Sequence, residues 1–374
     1  MAVRPRPVGV GVVGCGMVSK SYFTNLRASP HIALVACADQ AIDRAKARAR
    51  EFGVPRACTT EELLADPGVE MVVNLTIPTA HAEISLAALA AGKHVYSEKP
   101  LATTREAATR ILDQAETGGL TVACAPDTVL GAGIQTCLRL LEQGDLGEPL
   151  SAVGFFFGAG PENFHANPAF FYQPGAGPLL DVGPYYVTTL ICLFGPVRRV
   201  TSMARILFAE RTPQRGPRKG ETFKVSTPTW ITAVIEFENG AQANLITTFG
   251  ISGAGLPNLQ VYAGKGIMQL PDPNTFGGPV KVRMAGGRSA WREIPLLYKH
   301  TDASKDFRAL GAIEAAVAIR NGEHARLSGE LAYHALDVML SILESAASAR
   351  HVEVSSTCRR PPLLPLDTAL VAAR

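Results

Sequence analysis

The stretch VGVGVVGCGMVS, residues 8 to 19, restricts the fold of this chain more tightly than any other. Alternating valine and glycine ask for a buried extended strand. Directly after it, Gly14, Gly16 and Ser19 occupy the three positions of a Gly-x-Gly-x-x-small turn, and MVSKSYFTNLRAS reads as the helix behind it. The first glycine makes the tight turn, and the second lets a pyrophosphate approach the backbone. The third position needs a small side chain where helix meets strand, and serine is small enough. The backbone N–H groups of Met17 and Val18 open that helix, so they and the positive end of its dipole meet the phosphates. Asp39 ends the next strand, IALVACAD, at the spacing of about 20 residues that a dinucleotide fold requires. A carboxylate there accepts hydrogen bonds from a ribose 2′-hydroxyl and repels a 2′-phosphate, so the expected cofactor is NAD rather than NADP. The same side chain also suits the N-terminus of the helix AIDRAKARAREF, and the two roles are compatible.

The first third continues in that rhythm. EMVVNLT, KHVYSE and LTVACAP read as further strands separated by helical segments, with Gly53 closing the second helix. Thr59 with Glu62, and Thr103 with Glu106, have capping-box spacing. Near-continuous apolar strands alternating with helices imply a parallel sheet covered on both faces. This gives a Rossmann dinucleotide-binding domain over residues 1–127. Beyond it the texture changes to long alternating runs, SAVGFFFGAG, RRVTSMARILFAE, PTWITAVIEFEN, AQANLITTFGIS, NLQVYAG and KGIMQL. ENG and GKG supply hairpin turns between neighbouring runs. Residues 128–374 are therefore expected to form an α+β domain around a large, mostly antiparallel open sheet. Helices near 180–194, 304–320 and 328–348 are expected to pack on it.

Several function classes drop out on composition. The chain has 374 residues, 47% hydrophobic and 18% charged, enough apolar material to fill two cores. Net charge is +3, and the densest basic stretch, RTPQRGPRKGE, is broken by proline and glycine and lacks aromatics, so no nucleic-acid contact is expected. MAVRPRPVGVGVVG carries no signal-peptide core, and no apolar run approaches a membrane span. Seven scattered cysteines form no CxxC pair, and the histidines show no ligand spacing, so neither disulfides nor a metal is expected. The compartment implied is a reducing, cytoplasmic one.

GKHVYSEKPLATT, residues 92 to 104, places Glu98 and Lys99 where the fourth strand ends. A solvated strand end is one reading of such a pair. The other is an active-site lysine, because parallel sheets bind ligands at the carboxyl ends of their strands. Together with the glycine turn, IPTAHAEISLAALAAGKHVYSEKPLA at 77–102 and LLDVGPYY at 179–186, the chain resembles the Gfo/Idh/MocA oxidoreductases over nearly its whole length. The resemblance implies that Lys99 lies beside nicotinamide and the reacting hydroxyl, where an ammonium stabilises developing alkoxide charge. It also implies that Thr76, Pro78, His81 and Glu98 lie along the cofactor.

Many members of that family read Asp-x-Gly-x-His, with the histidine accepting the substrate proton. Here Asp181-Val182-Gly183-Pro184-Tyr185 puts tyrosine in its place, as in other branches. A tyrosine of ordinary pKa about 10 needs a nearby cation to act as a base. Tyr185 is thus the expected acid/base and Asp181 its orienting partner, while Tyr186 reads as a core aromatic. Asp127, after the fifth strand, and His165, in the aromatic segment ENFHANPAFFYQPG, are candidate substrate contacts. The implied activity is NAD-dependent oxidation, or the reverse reduction, of a secondary hydroxyl on a sugar, cyclitol or glycoside. Two alternatives are a glycoside-cleaving enzyme that recycles bound NAD and a non-catalytic NAD-binding regulator. By resemblance, copies pair as a homo-dimer or homo-tetramer through the C-terminal sheet.

Overall fold

Val8–Val13 (β1) is extended and wholly buried, and the chain leaves it through the glycine turn into α1 (Ser19–Ala28). The computed structural model describes residues 6–251, 253, 255–286, 290–368 and 370. The first five residues and Ser252, the last of the run AQANLITTFGIS, lie outside the described residues.

After α1 come β2 (Ile32–Ala38), α2 (Ile42–Phe52), β3 (Arg56–Cys58), α3 (Thr60–Ala65), β4 (Met71–Asn74), α4 (His81–Ala90), β5 (His94–Ser97), α5 (Arg105–Gly118) and β6 (Val122–Cys124). The six strands form one parallel sheet in the order β3-β2-β1-β4-β5-β6. The order reverses between β1 and β4, and a crevice at such a reversal is where dinucleotides bind. Helix ends follow the sequence signals. Gly53 closes α2 in the left-handed region at φ 64°, and Thr59 and Glu62 form the expected capping box. The cap of α5 is one residue later than expected. Thr104, not Thr103, accepts the hydrogen bond, from Ala107 N–H.

α6 (Ala132–Glu142) leads to β7 (Pro149–Phe157), α7 (Pro178–Phe194), β8 (Val197–Arg205), the short pair β9 (Glu210–Arg211) and β10 (Phe223–Lys224), then β11 (Trp230–Phe237), β12 (Gln242–Thr248), β13 (Leu259–Ala263), β14 (Gly266–Leu270), β15 (Val280–Met284) and β16 (Arg292–Ile294). α8 (Leu310–Asn321), α9 (Gly329–Ser348) and β17 (Val352–Glu353) complete the order. The second sheet runs β16-β15-β14-β13-β7-β12-β11-β8-β17 and is antiparallel except where β7 and β12 pair in parallel. Both expected hairpins, β11–β12 and β13–β14, are present.

The backbone divides into two compact units: 1–135, 297–336 and 361–374 in one, 136–296 and 337–360 in the other. A single boundary at 127 therefore misses two returns of the chain to the first unit. The expectation that the helix near 304–320 packs on the antiparallel sheet is corrected by the structure. α8 lies against β5, β6 and α1 of the first unit. Its all-round apolar character, with residues 310 to 316 buried, suits either location, so the pattern alone did not choose. In the second unit, α7 is buried on nearly every side and packs against β7, β11 and β12. Among the described residues no helix is long and apolar enough to cross a membrane. Among the described residues no disulfide joins any of the cysteines.

Candidate active site

The carboxyl ends of β1, β2, β4 and β5 carry the candidate cofactor residues of the first unit. Gly14 leaves β1 at φ 102°, and a Cβ on it would stand 2.6 Å from the Leu75 carbonyl carbon and oxygen. No side chain fits there. A Cβ on Gly16, by contrast, would meet nothing within 4 Å. That open space above the turn is what a pyrophosphate needs in order to approach the backbone. Ser19 does more than stay small. Its buried hydroxyl donates to the Gly16 carbonyl at 2.7 Å. Arg48 of α2 donates to the Ser19 hydroxyl at 3.1 Å and to the same carbonyl at 3.4 Å. No side chain caps α1 at Val18, which leaves the positive end of the helix to a ligand. Met17 beside it is 76% exposed.

Asp39 braces this turn from the end of β2. One carboxylate oxygen accepts the Cys15 N–H at 2.9 Å, and the other accepts the Ala41 N–H at 2.8 Å, with the Arg44 guanidinium 3.2 Å away. The bond to Ala41 is a turn just ahead of α2, whose N-cap is Ala41 itself, so Asp39 precedes the helix rather than capping it. The open cradle, the uncapped helix and this carboxylate together fit NAD.

The chain after β4 is held from beneath. Asn74, fully buried, accepts from the Thr76 hydroxyl at 2.7 Å and donates to the His81 carbonyl and the Ser85 hydroxyl. Thr76 thus turns its hydroxyl inward, and Ile77 beside it is 66% exposed. His81, expected along the cofactor, lies inside the protein. It is 1% exposed, with Nδ1 2.6 Å from the Pro100 carbonyl oxygen and Nε2 3.1 Å from that of Thr76. Burial holds its imidazole below the usual histidine range. Pro78, at the start of the short helical turn Pro78–Ala80, is half-buried.

At the end of β5, Glu98 also faces inward. It accepts the Tyr22 hydroxyl at 2.9 Å and the Lys99 N–H at 3.0 Å. Lys99 is half-buried, between Glu98 and a cis-linked Pro100 whose carbonyl contacts His81. Asp127, a candidate substrate contact, is likewise buried. It is 2% exposed, accepting the Tyr96 hydroxyl on one oxygen and the Ala309 N–H on the other at 2.5 Å.

In the second unit, Asp181 lies in the first turn of α7, where the helix dipole favours a carboxylate. Tyr185, one turn on and 7% exposed, shares its face. Gly183 between them lets α7 approach Met339 of α9. A Cβ there would stand 3.0 Å from its sulfur. Tyr186 is core, as expected. It donates to the Phe155 carbonyl at 3.1 Å and accepts from Asn258 at 3.0 Å. His165 is half-buried edge-on against Phe170 and Phe171, and its Nδ1 accepts the Asn167 N–H.

Three positioning residues escaped the sequence reading. Asn74 carried a signal, a lone amide at the end of a buried apolar strand. Arg48 sits on the charged face of α2 and carried none. Tyr22 looked like ordinary helix core, which its ring is.

A model of the oxidoreductase family with an NAD-binding Rossmann fold, Gfo/Idh/MocA, matches residues 8–125, and the C-terminal domain model of the same family matches 134–269. This chain belongs to the Gfo/Idh/MocA oxidoreductases. As such it is an NAD-binding protein. Among curated relatives it is 27% identical to trans-1,2-dihydrobenzene-1,2-diol dehydrogenase of Bos taurus, over 70% of this chain and 74% of that one. It is 28% identical to 1,5-anhydro-D-fructose reductase of Ensifer adhaerens, over 48% and 54% respectively. Levoglucosan dehydrogenase, solved with NADH and levoglucosan, superposes with a TM-score of 0.81 at 22% identity, covering 94% of this chain and all of that one. At that identity the likeness shows a shared fold.

Proposed function

We propose that this Gfo/Idh/MocA protein is an NAD-dependent dehydrogenase acting on a secondary hydroxyl of a sugar, cyclitol or glycoside. The observation that carries the proposal is the support around Lys99. A half-buried lysine at the carboxyl end of β5 has the side chain before it held by Tyr22 and the carbonyl after it contacted by His81. A solvated strand end has no need of such bracing. NAD, when bound, supplies the hydride acceptor. Lys99 stabilises the oxyanion that the reacting hydroxyl becomes. Tyr185 takes the hydroxyl proton, and Asp181, on the same face of α7, orients the substrate or shares that proton. Asp39 favours NAD by accepting from the ribose and repelling a 2′-phosphate. His165, with Phe170 and Phe171, offers an aromatic surface with a polar tip that suits a carbohydrate ring.

Relatives named as a dihydrobenzenediol dehydrogenase and an anhydro-D-fructose reductase support a polyol-like substrate. Copies pair through the outward face of the nine-stranded sheet, where Met203 is 81% and Val234 37% exposed. Sedimentation of the purified chain tests that pairing, and a monomer at micromolar concentration rejects it.

The test of function is NADH absorbance with NAD and a panel of sugars, inositols and glycosides. Lys99→Ala and Tyr185→Phe should each lower kcat by roughly 10²- to 10⁴-fold while still binding NADH. Full activity in Tyr185→Phe would remove it as the proton acceptor. Glycoside cleavage without NADH release would replace net oxidation by a recycling reaction.

A further inference from the structure

Ahead of α7, in the second unit, three buried or largely buried side chains form a cluster that the proposed reaction does not use. Glu162 and Tyr172 stand ten residues apart, one on each side of the aromatic segment that carries His165. The Tyr172 hydroxyl donates to one carboxylate oxygen of Glu162, and the Arg211 guanidinium of β9 lies 3.3 Å from the other. Tyr172 is fully buried and Glu162 is 4% exposed. The second nitrogen arm of Arg211 donates to the Phe249 carbonyl, and to that of Ala159 at 3.4 Å. A carboxylate removed from water needs a partner on each oxygen, and Glu162 has both.

The backbone repeats the arrangement. Gln214 N–H donates to the Glu162 carbonyl at 2.9 Å, and Ser226 N–H to the Tyr172 carbonyl at 2.8 Å. β9, β10 and the chain around them thus back both sides of the neck. Gly160 leaves the space that the cluster fills. A Cβ there would stand 2.3 Å from a Glu162 carboxylate oxygen and 2.4 Å from the Tyr172 hydroxyl. The basic stretch RTPQRGPRKGE therefore begins with an arginine turned inward, its side chain 16% exposed. Beyond the neck, Phe164 is 69% and Phe170 43% exposed. His165 packs edge-on against Phe170 and Phe171, and its N–H donates to the Pro161 carbonyl at 2.8 Å, directly beside Glu162.

We propose that Glu162, Tyr172 and Arg211 are positioning residues for substrate, a clasp at the neck of this loop that holds His165, Phe170 and Phe171 in one arrangement. The inference rests on the reading that this aromatic surface meets the carbohydrate ring. A loop is as firm as its buried contacts, and here those contacts are a charged pair and a phenol at the neck. A surface held ready loses less freedom when it binds, so the clasp strengthens substrate binding. All three residues act through the loop and not on the reacting hydroxyl. Their loss should therefore raise KM and leave kcat in place.

Tyr172→Phe tests this with least disturbance, since it deletes one hydroxyl and keeps the ring between Phe223 and Phe249. Two measurements on the full chain decide it. The first is chymotrypsin cleavage of the native protein at Phe164, Phe170 and Phe171, mapped by mass spectrometry, which follows the population of the opened loop. The variant should be cut roughly ten-fold faster than the wild type, the worth of one hydrogen bond to a charged group. Equal rates overturn the clasp. The second is steady-state kinetics with the best polyol. KM should rise by about the same factor, with kcat and NADH affinity within about two-fold. An unchanged KM, or a fall in kcat at constant KM, overturns the link to substrate.

Tyr186→Phe, which removes a core hydroxyl of α7 in the same unit, is the control. It should shift the urea midpoint and leave both readouts alone. Loop cleavage that rises equally in the control means general loosening and overturns the proposal. If Tyr172→Phe does not fold, Arg211→Lys keeps the charge beside Glu162 and gives up the bonds to Phe249 and Ala159. Its cleavage rate and KM should rise together, and wild-type values for both overturn the proposal. Cleavage needs no substrate, so a protein that oxidises no polyol would reject the proposed function while the cleavage rates still decide the clasp.

Discussion

His81 faces two carbonyl oxygens at once, Pro100 at 2.6 Å and Thr76 at 3.1 Å, and so fills the space between the loop after β4 and the loop after β5, its neutral ring donating one N–H to one of them. Both loops carry residues of the proposed site, and the imidazole sets their spacing from inside the protein.

Replacing His81 with alanine leaves two carbonyls facing a small cavity. The variant should lose about 2 to 3 kcal/mol of stability in urea unfolding and should bind NADH several-fold more weakly. The pH dependence follows from burial, which holds the imidazole below its ordinary value near 6.5. Between the two values the unfolded chain binds the extra proton, so the contribution of His81 is complete above about pH 6.5 and fades as pH falls. The stability gap between wild type and variant should narrow on acidification. A gap that widens contradicts a neutral, buried His81.

Gly14 and Gly16 belong to one motif but should fail differently. Alanine at position 14 must accept a positive φ and strike the Leu75 carbonyl, so Gly14→Ala should lose at least about 1 to 3 kcal/mol of stability. Alanine at position 16 meets no protein atom. Gly16→Ala should unfold at the wild-type urea concentration yet bind NADH roughly ten-fold more weakly or worse, since its methyl enters the space above the turn. Calorimetry paired with a fluorescence titration separates the two. Unchanged NADH affinity in Gly16→Ala would place the pyrophosphate elsewhere.

Asp39, proposed to repel a 2′-phosphate, holds Arg44 nearby, with that guanidinium side chain 61% exposed. Asp39→Ser removes the repulsion and leaves Arg44 able to meet a phosphate. We expect the ratio of kcat/KM for NAD over NADP to fall by roughly a hundred-fold, or about 2.7 kcal/mol. The variant should also be about 1 kcal/mol less stable, because the bonds to Cys15 and Ala41 N–H weaken. An unaltered cofactor ratio would take Asp39 out of the ribose contact.

Adjacent tyrosines on α7 divide stability from activity. Tyr186→Phe removes the hydroxyl that joins Phe155 to Asn258, so it should lower stability by about 1 kcal/mol and leave turnover within two-fold. Tyr185→Phe should do the reverse. The crossed pattern is measured by urea midpoints and initial rates on the same preparations.

Where periodicity and turn chemistry act locally, the sequence was a reliable guide. The glycine turn, five of the six parallel strands, both hairpins and α7 lie where their residues place them. β3, Arg56–Cys58, is too short to show a period. The parallel pairing of β7 with β12 joins strands far apart in the chain, and no local pattern reports it. α8 is apolar all round, so its residues did not say which sheet it covers. The site shows the same divide. Strand ends marked which loops hold the candidate residues, but not which way a side chain turns from its strand. Asp127 and His81 sit at the expected ends and point into the protein.

The late return of the chain to the first unit has a consequence for how this protein is made. Asn25 of α1 donates to the carbonyls of Asp306 and Arg308, and the Asp127 carboxylate accepts from Ala309, 182 residues away. While the first 135 residues emerge from a ribosome, these partners have not been synthesised. The nucleotide-binding half must therefore wait, with Asn25 and Asp127 lacking these partners, until the chain has been extended to Ala309. Contacts so distant in sequence slow folding and lengthen exposure to misassembly. An expression fragment cut at residue 127 would keep every glycine of the fingerprint and still lack the segment that closes its core.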